Sequence, residues 1–167
     1  MSIPEANLRP IKFSFKNQTS DDMINKIMVA TDGSDSSELA AQAAIEIAGR
    51  SGGSIAAVYV VDVARLVRLP GYASFPGIKD QILTLMQKEG RKATDRIEDL
   101  AVKAGVPCQK IVAEGNPSEE LLKIADESKV DLLIMGSVGR SGLNRFLLGS
   151  VAEKVVRNSM VPVLLIR

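Results

Sequence analysis

A chain of 167 residues with 46% hydrophobic and 25% charged side chains has the composition of one globular domain with a well-covered core, and is too short for two comfortable ones. Lys and Arg number 21 against 20 Asp and Glu, and a net charge of +1 gives no general attraction to nucleic acid or to an anionic membrane. The absence of histidine excludes a His-based triad or His metal site, and no apolar run approaches the roughly 18 residues of a membrane span.

In chain order, residues 1–23 come first and stand apart. Ile11, Phe13 and Phe15 alternate with polar residues, which fits an extra edge strand, an arm on a partner subunit or a flexible tail alike. A first strand is expected over Lys26 to Thr31, ending at the turn dipeptide Asp32-Gly33. Asp35, with Glu38 three residues on, reads as the N-cap of a helix whose apolar positions are Leu39, Ala40, Ala43, Ala44, Ile47 and Ala48, stopped by Gly52-Gly53. Ile55 to Val61 is the second strand. A looser stretch with Pro70, Gly71, Pro76 and Gly77 leads into a long helix with the stripe Ile82, Met86, Ala93, Ile97, Leu100 and Ala104. Its mixed charges read as a solvated face, and Gly105 and Pro107 end it.

Pro107 to Ala113 is the third strand. It holds the single cysteine, Cys108, between the apolar Val106 and Val112 as a quiet strand residue. With no internal disulfide partner, it points to a reducing compartment and a cytoplasmic location. Asn116 caps the next helix with Pro117 at its first position. Val130 to Met135 is the fourth strand. A helix from about Gly149 to Asn158 follows, with Ser150 and Glu153 in capping-box spacing, and Val161 to Ile166 is the fifth strand.

Strands alternating with helices define an α/β fold: a single five-stranded parallel sheet with helices on both faces, Rossmann-like in class and flavodoxin-like in outline. The expected order is 3-2-1-4-5. Ligands in such sheets sit beyond the strand ends where the chain reverses direction, here between strands one and four. The segment from Gly136 to Val151, GSVGRSGLNRFLLGSV, is an overlong connection at that point, about a dozen residues against the usual 2–6 or so. Gly136, Gly139 and Gly142 let backbone N–H groups approach an anion, and Gly149-Ser150 opens a helix whose positive end favours phosphate. Arg140 and Arg145 add charge-assisted hydrogen bonds. Each glycine alone is ordinary turn punctuation, and Ser150 would cap its helix without any ligand. The loop is neither a Walker A element nor a dinucleotide fingerprint. Asp32 either caps the turn after strand one or accepts hydrogen bonds from a ribose or base, and the two readings are compatible.

KIMVATDGS near the start, the run from Gly115 to Arg167, and the spacing Gly-x2-Gly-x9-Gly-Ser resemble the universal stress protein family in its ATP-binding branch. The resemblance covers about residues 24–167, leaving 1–23 as an N-terminal extension to one nucleotide-binding domain. It implies dimerisation, and ATP or AMP held between strands one and four with Mg²⁺ or Mn²⁺ as companion ion. By position it implies adenosine contacts from Ala30, Thr31 and Asp32, and a backbone contact to adenine at Val60. Met135, Gly136, Gly139 and Arg140 then begin the phosphate loop, and Gly149, Ser150 and Val151 end it. Val138 and Ala152 depart from the pattern, standing where a His and a hydroxyl residue occur in other members.

The function expected is a nucleotide-binding regulatory protein of the stress response, whose ligand sets its conformation or its affinity for a protein partner. The alternatives are a slow ATPase or phosphoryl-transfer enzyme, with Asp32 or Asp62 touching a metal through water, and a nucleotide-free structural dimer. No catalytic residue and no protein metal site is assigned. Strand five, an edge in the expected order, invites a homodimer through Val161 to Ile166.

Overall fold

The structure, a computed structural model, describes residues 24–64, 77–139 and 148–167. The N-terminal extension, Arg140, Gly142 and Arg145 lie outside these. The elements run β1 Lys26–Ala30, α1 Asp35–Ser51, β2 Ser54–Asp62, α2 Ile78–Lys103, β3 Cys108–Gly115, α3 Pro117–Glu127, β4 Leu132–Gly136, α4 Ser150–Asn158 and β5 Val163–Ile166. All strand pairs are parallel and the order is β3-β2-β1-β4-β5, as the sequence predicts.

Alternate residues of each strand feed two cores, because successive side chains point to opposite faces. Ile27, Val29, Ile55, Ala57, Leu132 and Ile134 pack under α1 and α2. Met28, Ala30, Ala56, Val58, Leu133 and Met135 pack under α3 and α4. Central strands β1 and β4 are therefore buried on both sides, and their sequences KIMVA and LLIMG are nearly continuous apolar runs.

Two local expectations need correction. Ser34, not Asp35, caps α1, its hydroxyl accepting from the Ser37 N–H, while Asp35 is already helical. The buried face of α1 is Ser37, Ala40, Ala41, Ala44, Ile45 and Ala48, which leaves Leu39 45% exposed. Small residues win the inner face because they let the helix axis sit close to the sheet. The glycine stops after α1 and α2 are as read. Gly52 and Gly105 take φ of 69° and 70° at helix ends, a conformation that side-chain-bearing residues rarely adopt.

The charged face of α2 is a solvated ion-pair surface. Arg96 meets Glu38 at 2.9 Å, and Lys110 of β3 meets Asp95 at 2.9 Å and Glu98 at 2.5 Å. Hydrogen bonding to Glu98, then Asp95, pushes the Lys110 ammonium above the usual lysine range. Such exposed pairs add little stability. No helix among the described residues is long and apolar enough to cross a membrane.

Candidate functional site

From the end of β1 the chain leads to β2 on one side, and from the end of β4 it leads to β5 on the other. The two diverging connections open a cleft of about 320 Å³ at the C-terminal ends of the strands. Ala30, Thr31 and Asp32 enter it from β1, and Val60 from β2. Met135, Gly136 and Gly139 enter from β4 and its loop, and Gly149, Ser150 and Val151 from the start of α4. Of the loop residues singled out in the sequence, Arg140, Gly142 and Arg145 lie outside the described residues.

Hydrogen bonds divide these residues by what they have left to offer a ligand. The Thr31 N–H donates to the Val58 carbonyl at 2.9 Å. Its hydroxyl lies 2.9 Å from that of Ser37, whose own proton goes to the Ser34 carbonyl at 2.8 Å. Thr31 must therefore be the donor of that pair, and its oxygen also accepts from the Gly33 N–H at 3.1 Å. Thr31 is thus a knot that fixes the β1–α1 turn. Asp32 is anchored beside it: Oδ1 accepts from the Ser34 N–H at 3.0 Å and the Ser34 hydroxyl at 2.6 Å. The turn-capping reading of Asp32 holds, and Oδ2 lies toward Gly139.

Gly136, Gly139 and Gly149 are not among the glycines with positive φ, so space and not backbone conformation explains them. A Cβ on Gly136 would lie 2.5 Å from Ser36 Oγ and 3.1 Å from the Ser36 backbone carbon. That glycine lets β4 end against the first turn of α1. A Cβ on Gly149 would lie 3.3 Å from the Ser137 carbonyl oxygen, which accepts the Gly149 N–H at 2.8 Å. The start and end of the long loop are thereby stapled together. At Gly139 a Cβ would face Asp32 Oδ2 at 2.9 Å, across the mouth of the cleft.

Gly149 itself is the N-cap of α4 and supplies no side-chain cap, while Ser150 is the first helical residue. The expected capping box is absent, and Glu153 instead pairs with Arg157 at 3.0 Å. α1 and α3 are capped by Ser34 and Asn116. The first turn of α4, Ser150, Val151 and Ala152, lines the cleft with no side-chain cap. Its N–H groups and the positive end of its dipole are available to an anion.

The cleft also has apolar walls: Val58, Leu121 and Met135 from the α3–α4 face of the sheet, and Met86 from the α2 face. The sequence reads Met86 as part of the apolar stripe of its helix and gives neither Met86 nor Leu121 a place in the site. They sit on helix stripes, where an apolar residue reads as core, and only the topology brings those stripes over the strand ends. Ser37 and Ser137 also escaped notice as ordinary polar residues near turns, although both line the cleft. No group of three or more His, Cys, Asp or Glu among the described residues is placed to hold a metal ion.

These features define a doubly wound α/β protein with a cleft at its switch point, lined by both polar and apolar residues. Residues 23–167 match the model of the universal stress protein family, and the chain belongs to that family. Universal stress protein MJ0531 of Methanocaldococcus jannaschii is 40% identical over 147 residues, covering 88% of this chain and 84% of its own. The solved structure of MJ0577 from the same organism superposes with a TM-score of 0.75 at 28% identity, covering 86% of this chain and 96% of that one. A universal stress protein solved in complex with cAMP has a TM-score of 0.63 at 29% identity, covering 87% and 98%.

Proposed function

We propose that this protein binds an adenine nucleotide, ATP or AMP, and acts as a regulatory homodimer rather than as an enzyme. The observation that carries the reading is the first turn of α4, with no side-chain cap, which lines the same cleft as the apolar Val58, Met86, Leu121 and Met135. A nucleotide suits both features: a flat base with weakly polar faces, and phosphates that favour backbone N–H groups and a helix N-terminus. The family relative solved with cAMP supports an adenine ligand.

The base lies at the Val60 and Met135 end, with Ala30 and Asp32 beside the ribose. The phosphates lie against Gly136, Gly139, Gly149, Ser150 and Val151, joined by Arg140. Asp32 and Asp62 both border the cleft. Mg²⁺ or Mn²⁺ would offset their repulsion of the phosphates, entering with the nucleotide and not held by the protein alone. Asp32 is anchored by Ser34 in its turn, which suits a positioning role better than that of a general base.

The dimer forms through β5. This strand is an edge of the sheet, and Leu164 on it is 37% exposed, with Val156 and Met160 also exposed in the segment leading to it. A cytoplasmic site of action fits the lone reduced cysteine. Mass spectrometry of small molecules released by denaturing freshly purified protein, with calorimetric titration of the emptied protein by ATP, tests the reading. Adenine nucleotide in the extract and saturable binding are expected. A protein that releases none and takes up neither ATP nor AMP refutes it.

A further inference from the structure

Gly90 stands in the interior of the 26-residue helix α2 and is buried. Glycine at such a position weakens a helix relative to alanine. What it permits is a close approach. A Cβ there would lie 2.6 Å from Cδ1 of Tyr59 and 3.1 Å from Cε1 and Cγ of the same ring. The ring cannot easily yield: Tyr59 is 5% exposed and packs with Val61 and Ala93, with Leu83, Met86 and Val112 around it.

α2 crosses back from the end of β2 to the start of β3, so its N-terminal half lies at the strand ends that carry the cleft. Met86, about one turn before Gly90, lines the cleft together with Tyr59 and Val60. The spacing between Gly90 and the Tyr59 ring therefore sets how closely Met86 approaches the cleft. We infer that Gly90 is a positioning residue for base recognition: its bare Cα lets α2 seat Met86 as the wall on which a flat heterocycle rests. The cleft then selects a nucleoside-bearing anion over free polyphosphate. This rests on the nucleotide reading of the cleft. A polarizable thioether against an aromatic face is the contact that would be lost.

The full-length protein is titrated calorimetrically with ATP, adenosine and inorganic tripolyphosphate. Gly90→Ala should weaken ATP and adenosine by the same factor, about five- to tenfold, and leave tripolyphosphate unchanged. Met86→Ala, which removes the wall without overpacking the helix, should do the same. Adenosine affinity within about twofold of wild type in folded Gly90→Ala overturns the inference, as does an equal loss for tripolyphosphate. If Gly90→Ala does not fold, Met86→Ala decides, and undiminished adenosine binding in that variant is the overturning result. A wild-type protein that binds none of the three overturns the nucleotide reading and this inference with it. Wild-type binding with an insensitive Met86→Ala overturns this inference alone.

Discussion

Replacing Gly139 by alanine separates the phosphate end of the cleft from the rest of the fold. The new Cβ would stand 2.9 Å from Asp32 Oδ2, short of an ordinary carbon–oxygen contact by about 0.5 Å. Either the carboxylate turns or the loop retreats. Turning Asp32 disturbs its hydrogen bonds from the Ser34 N–H and hydroxyl, worth about 1.5–3 kcal/mol each when the acceptor is charged. Gly139 is exposed, so retreat of the loop costs less and prevails. Stability should then change by no more than about 0.5 kcal/mol, which urea unfolding measures. The backbone N–H groups after Gly136 lose alignment with the phosphates by the same half ångström or so. Loss of one charge-assisted hydrogen bond corresponds to a roughly 10- to 100-fold weaker ATP affinity. Adenosine, which has no phosphate, should bind within about threefold of its wild-type strength. Calorimetry with both ligands gives the answer. Equal losses for ATP and adenosine would place the phosphates elsewhere or show that Asp32 moved, and unchanged ATP binding would refute the placement of the loop.

Ser150→Ala should leave stability within about 0.5 kcal/mol, because Ser150 is not the N-cap, yet weaken ATP by about three- to tenfold with adenosine unaffected; a clear loss in urea midpoint with no change in ATP affinity would contradict both halves. On β5, the carbonyls of Pro162 and Ile166 accept from Leu133 and Ser137 of β4, so by alternation the N–H of Leu165 points to the open edge. Leu165→Pro should convert a dimer to a monomer by light scattering with the circular dichroism retained, and an unaltered mass rules out pairing through this edge. Burial, and after it the Glu98 carboxylate, push the Cys108 thiol above the ordinary cysteine range. The native thiol should therefore react with a disulfide reagent at pH 8 more slowly than the urea-unfolded chain. The sign for stability follows: the contribution is full below the unfolded thiol's pKa and is lost as pH rises through the folded value. Equal rates in the two states would refute the burial argument.

The sheet was legible because most strands are short apolar runs alternating with helical patterns, and right-handed crossovers leave few orders for five such strands. The cleft residues on backbone turns were legible for the same reason: loop length and glycine spacing are local properties. What could not be read locally was the reason for each glycine. Gly136 and Gly149 read in the sequence as openings for a phosphate, yet the atoms they would strike belong to Ser36 and Ser137 of the protein itself. Gly90, in the middle of a charged helix, gave no local signal, because its partner Tyr59 lies 31 positions earlier and only the crossover brings the two together. Thr31 shows the converse. By resemblance it was assigned to the ligand, but its N–H and hydroxyl proton are both engaged by Val58 and Ser37. A side chain at a switch point can serve the turn that builds the site, the molecule that occupies it, or both, and its hydrogen-bonding capacity limits what it offers to each. By that criterion Thr31 is committed first to the turn, and the first turn of α4 has the N–H groups that suit a ligand's charge.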